Sequence, residues 1–144
     1  MICLLDVNVL IALLWPAHQS HQKVQQWFAQ NARHGWATCP MTEAGFIRIV
    51  SNPAFSRRPV SPRDAIAVLS ASLAHPAHNF WTEDVSVSDA LLQFGGRLLG
   101  HQQVTDAYLL ALAIRKKGRL VTLDDSLSAL LPEQTPSRSS ITLL

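Results

Sequence analysis

Apolar residues fall along this chain in two patterns, short unbroken runs and longer stretches spaced as a helix spaces them. Ile2-Cys3-Leu4-Leu5 is an unbroken run closed by Asp6, the signature of a strand buried on both faces. Val7 to Leu14 continues as a brief helix that stops before Pro16, because the residue ahead of a proline is pushed out of the helical region. From His18 to about Ala32 the apolar positions Val24, Trp27 and Phe28 recur at helical spacing, which predicts an amphipathic helix. Gly35 breaks the chain, Trp36-Ala37-Thr38-Cys39 reads as a second strand, and Pro40 opens a helix carrying Glu43, Phe46, Ile47 and Val50.

Residues 51–59 form a loop by their prolines and polar residues. Ser61-Pro62-Arg63-Asp64 then starts a helix with a serine cap, a proline at the first helical position and an acid at the third. After Pro76, Asn79-Phe80-Trp81-Thr82 is a candidate strand, and Ser86-Val87-Ser88-Asp89 repeats the cap pattern for a short helix through Phe94. Gly95, Gly96 and Gly100 punctuate a turn before a long helix from about Gln102 to Lys117, with Gly118 as its stop. Arg119 to Leu123 reads as a strand ending at Asp124-Asp125, a last short helix runs through Leu131, and Ile141 to Leu144 is a terminal strand.

Strands alternating with helices predict an α/β fold, a central parallel sheet flanked by helices in three layers. No repeat, low-complexity tract or linker divides residues 1–144. Open parallel sheets bind their ligands beyond the carboxyl ends of the strands, and two of the expected strands end in aspartate.

Composition narrows the picture. A chain of 144 residues with 48% hydrophobic residues supports one core and not two. The net charge of +2, from 12 Lys and Arg against 10 Asp and Glu, neither demands nor excludes nucleic acid. Charged residues make up only 15%, below the usual quarter, so each carboxylate is worth placing individually. Cys3 and Cys39 lie far apart and form no C-x-x-C pair; they read as small buried hydrophobes in a reducing cytosol, with no disulfide or zinc site. The apolar opening lacks a basic leader and a cleavage site, is interrupted by Asp6 and Asn8, and is too short to span a bilayer. A soluble cytoplasmic protein is expected.

The acids differ in what surrounds them. Asp6 closes a buried strand, where it either caps the next helix or needs a partner for its charge; Asn8 has the same capping option. Glu43 sits in the first turns of an apolar helix, where the dipole alone favours it. Asp106 precedes Ala107-Tyr108-Leu109-Leu110-Ala111-Leu112-Ala113-Ile114, apolar on every side, so its carboxylate needs a cation or a donor such as Thr105. One of Asp124 and Asp125 is expected to cap the following helix, leaving the other free, and strand alternation puts Thr122 and Asp124 on one side. Asp64 and Asp89 fit helix starts, and Glu83, Asp84 and Glu133 fit solvated loops. Asp6, Glu43, Asp106 and Asp124 thus come from separate elements, each in apolar sequence. Carboxylates brought together from such places repel unless a divalent cation neutralises them, and hard oxygen donors suit Mg²⁺ or Mn²⁺.

Leu5-Asp6-Val7-Asn8-Val9-Leu10, Thr42-Glu43, Thr105-Asp106-Ala107 and Thr122-Leu123-Asp124 occur in this order over essentially the whole chain. In this the sequence resembles the PIN-domain nucleases, specifically VapC-type toxins of toxin–antitoxin pairs. The resemblance implies a Mg²⁺- or Mn²⁺-dependent endoribonuclease with Asp6, Glu43, Asp106 and Asp124 as its acidic quartet. Asp6, Asp106 and Asp124 would hold the metal, Asp124 directly or through water, while Glu43 would orient water or bind a second ion. Asn8 and Thr122 match supporting polar positions, and Asp125 adjoins the fourth. The resemblance also implies an RNA substrate (transfer RNA is a common family target), a homodimer and an antitoxin protein that covers the pocket. Arg48, Arg57 and Arg58 are candidates to grip RNA phosphates, with a solvated basic loop as the alternative; Arg115, Lys116 and Lys117 suit the end of a helix dipole. None of the six histidines needs a chemical role.

Two other functions compete. A phosphatase of the haloacid-dehalogenase type also has an aspartate after its first strand, but the second aspartate it needs two residues on is Asn8 here. A catalytically inactive PIN-type binding module predicts loss of an acid, whereas all four matching positions are acidic.

Overall fold

In the computed structural model, which describes residues 1–144, the unbroken apolar runs pair into one parallel sheet. Its strands are β1 (Cys3–Leu5), β2 (Trp36–Thr38), β3 (His78–Phe80), β4 (Arg119–Thr122) and β5 (Ile141–Leu143), in the spatial order β3-β2-β1-β4-β5. Cys3 aligns with Trp36 on one side and Arg119 on the other, and Leu5 aligns with Val121. Helices α1 (Val7–Leu14), α2 (His21–Asn31), α3 (Pro40–Val50), α4 (Pro62–Leu73), α5 (Val87–Leu91) and α6 (Val104–Arg115) connect the strands. Their arrangement is the three-layer α/β architecture expected.

Alternation along each strand divides the core in two. Leu5, Trp36 and Val121 pack beneath α1 to α4, with Val9, Leu10, Val24, Phe46, Val50 and Leu69. Leu4, Ala37 and Leu120 face the other way, toward α5 and α6, with Phe94, Tyr108, Leu109 and Leu112. Every residue from Ala107 to Ala113 is buried, as an all-round apolar helix must be. From β1 the chain leads outward to β2 and β3, then returns across the sheet to β4. The carboxyl ends of β1 and β4 therefore flank the switch point where open parallel sheets form a crevice.

Boundaries shifted where caps or tight turns intervene. Ser61 and Ser86 cap α4 and α5 by accepting from the N–H groups of Asp64 and Asp89 at 3.1 and 3.2 Å. The expected long helix begins with a 3-10 turn, His101–Gln103, and is α-helical only from Val104. The short helix after Asp124 is a 3-10 turn, Asp125–Leu130. Gly118 stops α6 for a different reason from the one expected. Lys117 itself takes the left-handed conformation, with φ 55°, and the Gly118 N–H donates back to the Ala113 carbonyl at 2.8 Å, a Schellman-type close. Gly118 is needed for space: a Cβ there would lie 2.5 Å from Trp81 Cη2 and 2.6 Å from the Ile2 carbonyl oxygen. No helix is long and apolar enough to cross a membrane.

Candidate active site

Asp6 is the first residue beyond β1, and only 4% of it is exposed. Its Oδ1 accepts the Val7 N–H at 2.7 Å, so it caps α1, and its Oδ2 accepts the Thr122 hydroxyl proton at 2.7 Å. Capping and partner-seeking, set out as alternatives for this residue, are both realised, one on each oxygen. The fully buried Thr122 also accepts from Asn8 Nδ2 at 3.2 Å and from the Asp124 N–H at 3.1 Å. Asn8 Oδ1 in turn accepts the Leu123 N–H at 3.1 Å. The ends of β1 and β4 are therefore laced together through side chains as well as through the backbone bond from the Asp6 N–H to the Val121 carbonyl at 3.0 Å. Burial raises the pKa of Asp6, its hydrogen bonds from Thr122 and Val7 act against that rise, and the charge of Asp124 adds to it.

Asp106 enters from the opposite layer, in the first turn of α6. Its carboxyl is pushed up to about 6, first by burial and then by the charges of Asp6 and Asp124. No hydrogen bond contributes to its state; the exposed Thr105 beside it does not serve as the donor considered above. Asp6 and Asp106 face each other across a cleft of about 460 Å³, lined also by Val7, Met41, Ala44, Gly45, Arg48, Ile49 and Thr105. Asp124 Oδ1 accepts the Ser126 N–H at 2.9 Å, so capping and proximity to the other acids fall on one residue. The expected division of labour with Asp125 is not seen, since Asp125 is exposed on the turn that follows.

The structure thus brings three of the four acids into one electrostatic field and sets Glu43 apart. Glu43 Oε1 accepts the Thr38 hydroxyl proton at 2.6 Å, and its charge acts on His78. The charges of Asp6 and Asp124 act on Asp106, and that of Asp124 acts on Asp6. As placed, no three His, Cys, Asp or Glu side chains stand close enough to hold one metal ion. The three aspartates share a field, and Asp6 and Asp106 a cleft, without forming a closed coordination shell.

Known proteins resemble this chain over most of its length. The family model of the PIN domain matches residues 3–130. The chain belongs to the PIN-domain family. Among its relatives, ribonuclease VapC39 of Mycobacterium tuberculosis is 47% identical over 128 residues, covering 89% of this chain and 92% of that one. Ribonuclease VapC38 of the same organism is 47% identical over 121 residues, 84% of each chain. The fold also matches VapBC2 from Rickettsia felis, solved bound to a DNA fragment from its promoter, with a TM-score of 0.65 at 14% identity over 95% of both chains. FitAcB from Neisseria gonorrhoeae gives a TM-score of 0.61 at 22% identity over 90% of this chain and 93% of that one.

Within this PIN domain the candidate phosphate-binding arginines separate. Arg48 lines the acidic cleft. Arg57 and Arg58 line another hollow, with Trp15, Pro16, Ala17 and Ser56, and share no lining residue with the acids. Arg115 and Lys116 pair with Asp84 at 3.2 and 3.3 Å, and Asp84 stays exposed in its loop, as expected.

Three residues around the site escaped the sequence reading. Glu83, also read as a solvated loop acid, accepts the Met41 N–H at 2.7 Å and so ties down the first turn of α3. Gly45 lets α3 approach α1, because a Cβ there would fall 2.7 Å from Val7 Cγ2. His78 contacts Thr38 Oγ1 through Nε2 at 2.8 Å. All three depend on contacts between elements distant in sequence, and only the small residue after Glu43-Ala44 carried a local hint.

Proposed function

We propose that this PIN domain is a metal-dependent endoribonuclease, the toxin of a toxin–antitoxin pair, with its centre at Asp6, Asp106 and Asp124. The observation that carries this reading is the convergence of the three carboxylates, from β1, α6 and the end of β4, on the switch-point crevice of a VapC-like chain. Their chemistry fits Mg²⁺ or Mn²⁺: all donors are carboxylate oxygens, and Asp106 lacks any internal donor to offset its charge. Asp6, Asp106 and Asp124 would hold the ion. When bound, it supplies a water of lowered pKa and offsets charge developing on the phosphodiester.

The chain's own residues divide the remaining work. The Val7 N–H on Oδ1 and the Thr122 hydroxyl on Oδ2, the latter held by Asn8, fix Asp6 in one rotamer and leave a lone pair on each oxygen for a ligand. Arg48, the cation of the cleft, grips a substrate phosphate as a charge-assisted donor. Glu43, in the first turn of α3 and bonded to Thr38 at the end of β2, orients water or a second ion from outside the cleft that Asp6 and Asp106 line. Arg57 and Arg58 offer a separate contact for a longer RNA. RNA is the substrate, transfer RNA being one class to test; the partners are a second copy of the chain and an antitoxin protein, met in the cytoplasm.

Cleavage of a total RNA pool by purified, antitoxin-free protein tests this reading, with Mg²⁺, Mn²⁺ or EDTA and an Asp6→Ala control. Discrete products that need the metal and vanish in the variant are expected. Folded protein that cuts nothing under either metal would leave a PIN-type binding module instead.

A further inference from the structure

The residues holding Glu43 form a polar chain that runs through the opposite face of the sheet from the aspartates. Thr38 ends β2, is fully buried, and lies between Glu43 Oε1 at 2.6 Å and His78 Nε2 at 2.8 Å. A hydroxyl has one proton to give, and a carboxylate can only accept. Thr38 therefore donates to Glu43, and the contact with His78 forms only if Nε2 carries a hydrogen and donates to Thr38. His78 starts β3 in register with Trp36, whose ring lies 4.6 Å away between centroids. That packing fixes the imidazole plane, and burial lowers its pKa while the charge of Glu43 acts the other way.

We infer that His78, acting through Thr38, is a positioning residue for Glu43, locking its carboxylate at the carboxyl end of β2 beside the strand that bears Asp6. Glutamate is long and rotamer-rich, and fixing it free of charge to the reaction requires bonds formed in advance. One hydroxyl could rotate away; a hydroxyl that must also receive an N–H from His78 has a single orientation that satisfies both neighbours. The chain Glu43–Thr38–His78 thus does for Glu43 what Asn8 and Thr122 do for Asp6, from the other face of the sheet. This inference rests on the reading above in which Glu43 takes part in cleavage.

The test is a set of kinetic variants on one RNA substrate at saturating Mn²⁺, each first shown to be folded by circular dichroism. His78→Phe keeps the ring packing on Trp36 and removes the donor; kcat is expected to fall roughly tenfold with KM unchanged, the value of one hydrogen bond to a group that must be held still. His78→Gln, whose amide N–H reaches about as far as Nε2, should restore kcat to within about threefold. In a Glu43→Gln background, His78→Phe should bring no further loss, because the group it positions is already gone. Equal activity of the Phe and Gln variants, or losses that multiply across the two sites, overturns the positioning role. If Glu43→Gln itself cleaves at the wild-type rate, the fault lies in the reading of Glu43 and the inference falls with it.

Discussion

Replacing Asp106 by Asn keeps the shape of the side chain and removes its charge. In the folded protein this carboxyl is pushed up to about 6 from 3.8, by burial first and by Asp6 and Asp124 second. A group with a folded pKa above its unfolded one holds its proton more tightly in the folded state, so deprotonation destabilises the fold. Below about pH 3.8 both states carry the proton and nothing is lost; the penalty builds up to about pH 6 and is constant above. A rise of that size corresponds to roughly 3 kcal/mol. Because the side chain is only partly buried, solvent screening reduces it to about 1–2 kcal/mol. Asp106→Asn should therefore be the more stable protein at neutral pH, by about 3–8 °C in melting temperature, and gain nothing near pH 3.5 while losing RNA cleavage. Thermal unfolding of both proteins in EDTA, at about pH 3.5 and about pH 7.5, measures the difference. A variant less stable at the higher pH, or an offset that ignores pH, would refute the claim that Asp106 lies unpaired in a field of like charges. Added Mn²⁺ should reverse the order by stabilising only the wild type.

Thr122→Val is nearly isosteric but strips a donor from Asp6 and orphans the N–H groups of Asn8 and Asp124. Urea unfolding at pH 7 should show a loss of about 2–4 kcal/mol, and an unchanged midpoint would contradict the network described. Gly45→Ala drives a Cβ into Val7 and should cost about 1–3 kcal/mol; since both helices line the cleft, cleavage should fall further than the unfolding midpoint alone explains. Gly118→Ala meets Trp81 and a backbone oxygen, so calorimetry should show a destabilisation of roughly 2–4 kcal/mol without a selective effect on activity. Arg48→Gln should weaken RNA binding and reduce the slope of log affinity against log salt by about 0.7–0.9. The same slope with Arg48 intact or replaced would remove that residue from the phosphate path.

The parts of this fold legible in the sequence are those fixed by local pattern. Unbroken apolar runs became the strands β1, β2 and β4, and the seven consecutive buried residues of α6 were evident from an apolar run with no polar face. Asp6 and Asp106 stood out because a carboxylate beside such runs has few places to put its charge. Legibility failed where a residue's partner lies far along the chain. Glu83 sits in a polar stretch, and nothing near it announces that its carboxylate closes α3, a bond spanning 42 positions. His78 is tied to Thr38 across 40. Glu43 shared a motif with the other acids, yet its carboxylate bonds to Thr38, whereas Met41, Ala44, Gly45 and Arg48 of the same helix line the cleft. Asp125 looked equivalent to Asp124 until the turn left it in solvent.

The central claim is that Asp6, Asp106 and Asp124 act as one cation-binding centre, and Mn²⁺ titration monitored by electron paramagnetic resonance tests it without relying on turnover. Wild-type protein should bind Mn²⁺, and Asp6→Asn, Asp106→Asn and Asp124→Asn should each weaken that binding by at least roughly tenfold, while Asp125→Asn leaves it intact. Equal affinity in the wild type and all three variants would show that the acids crowd the crevice without holding a metal, and the account of this site would be wrong.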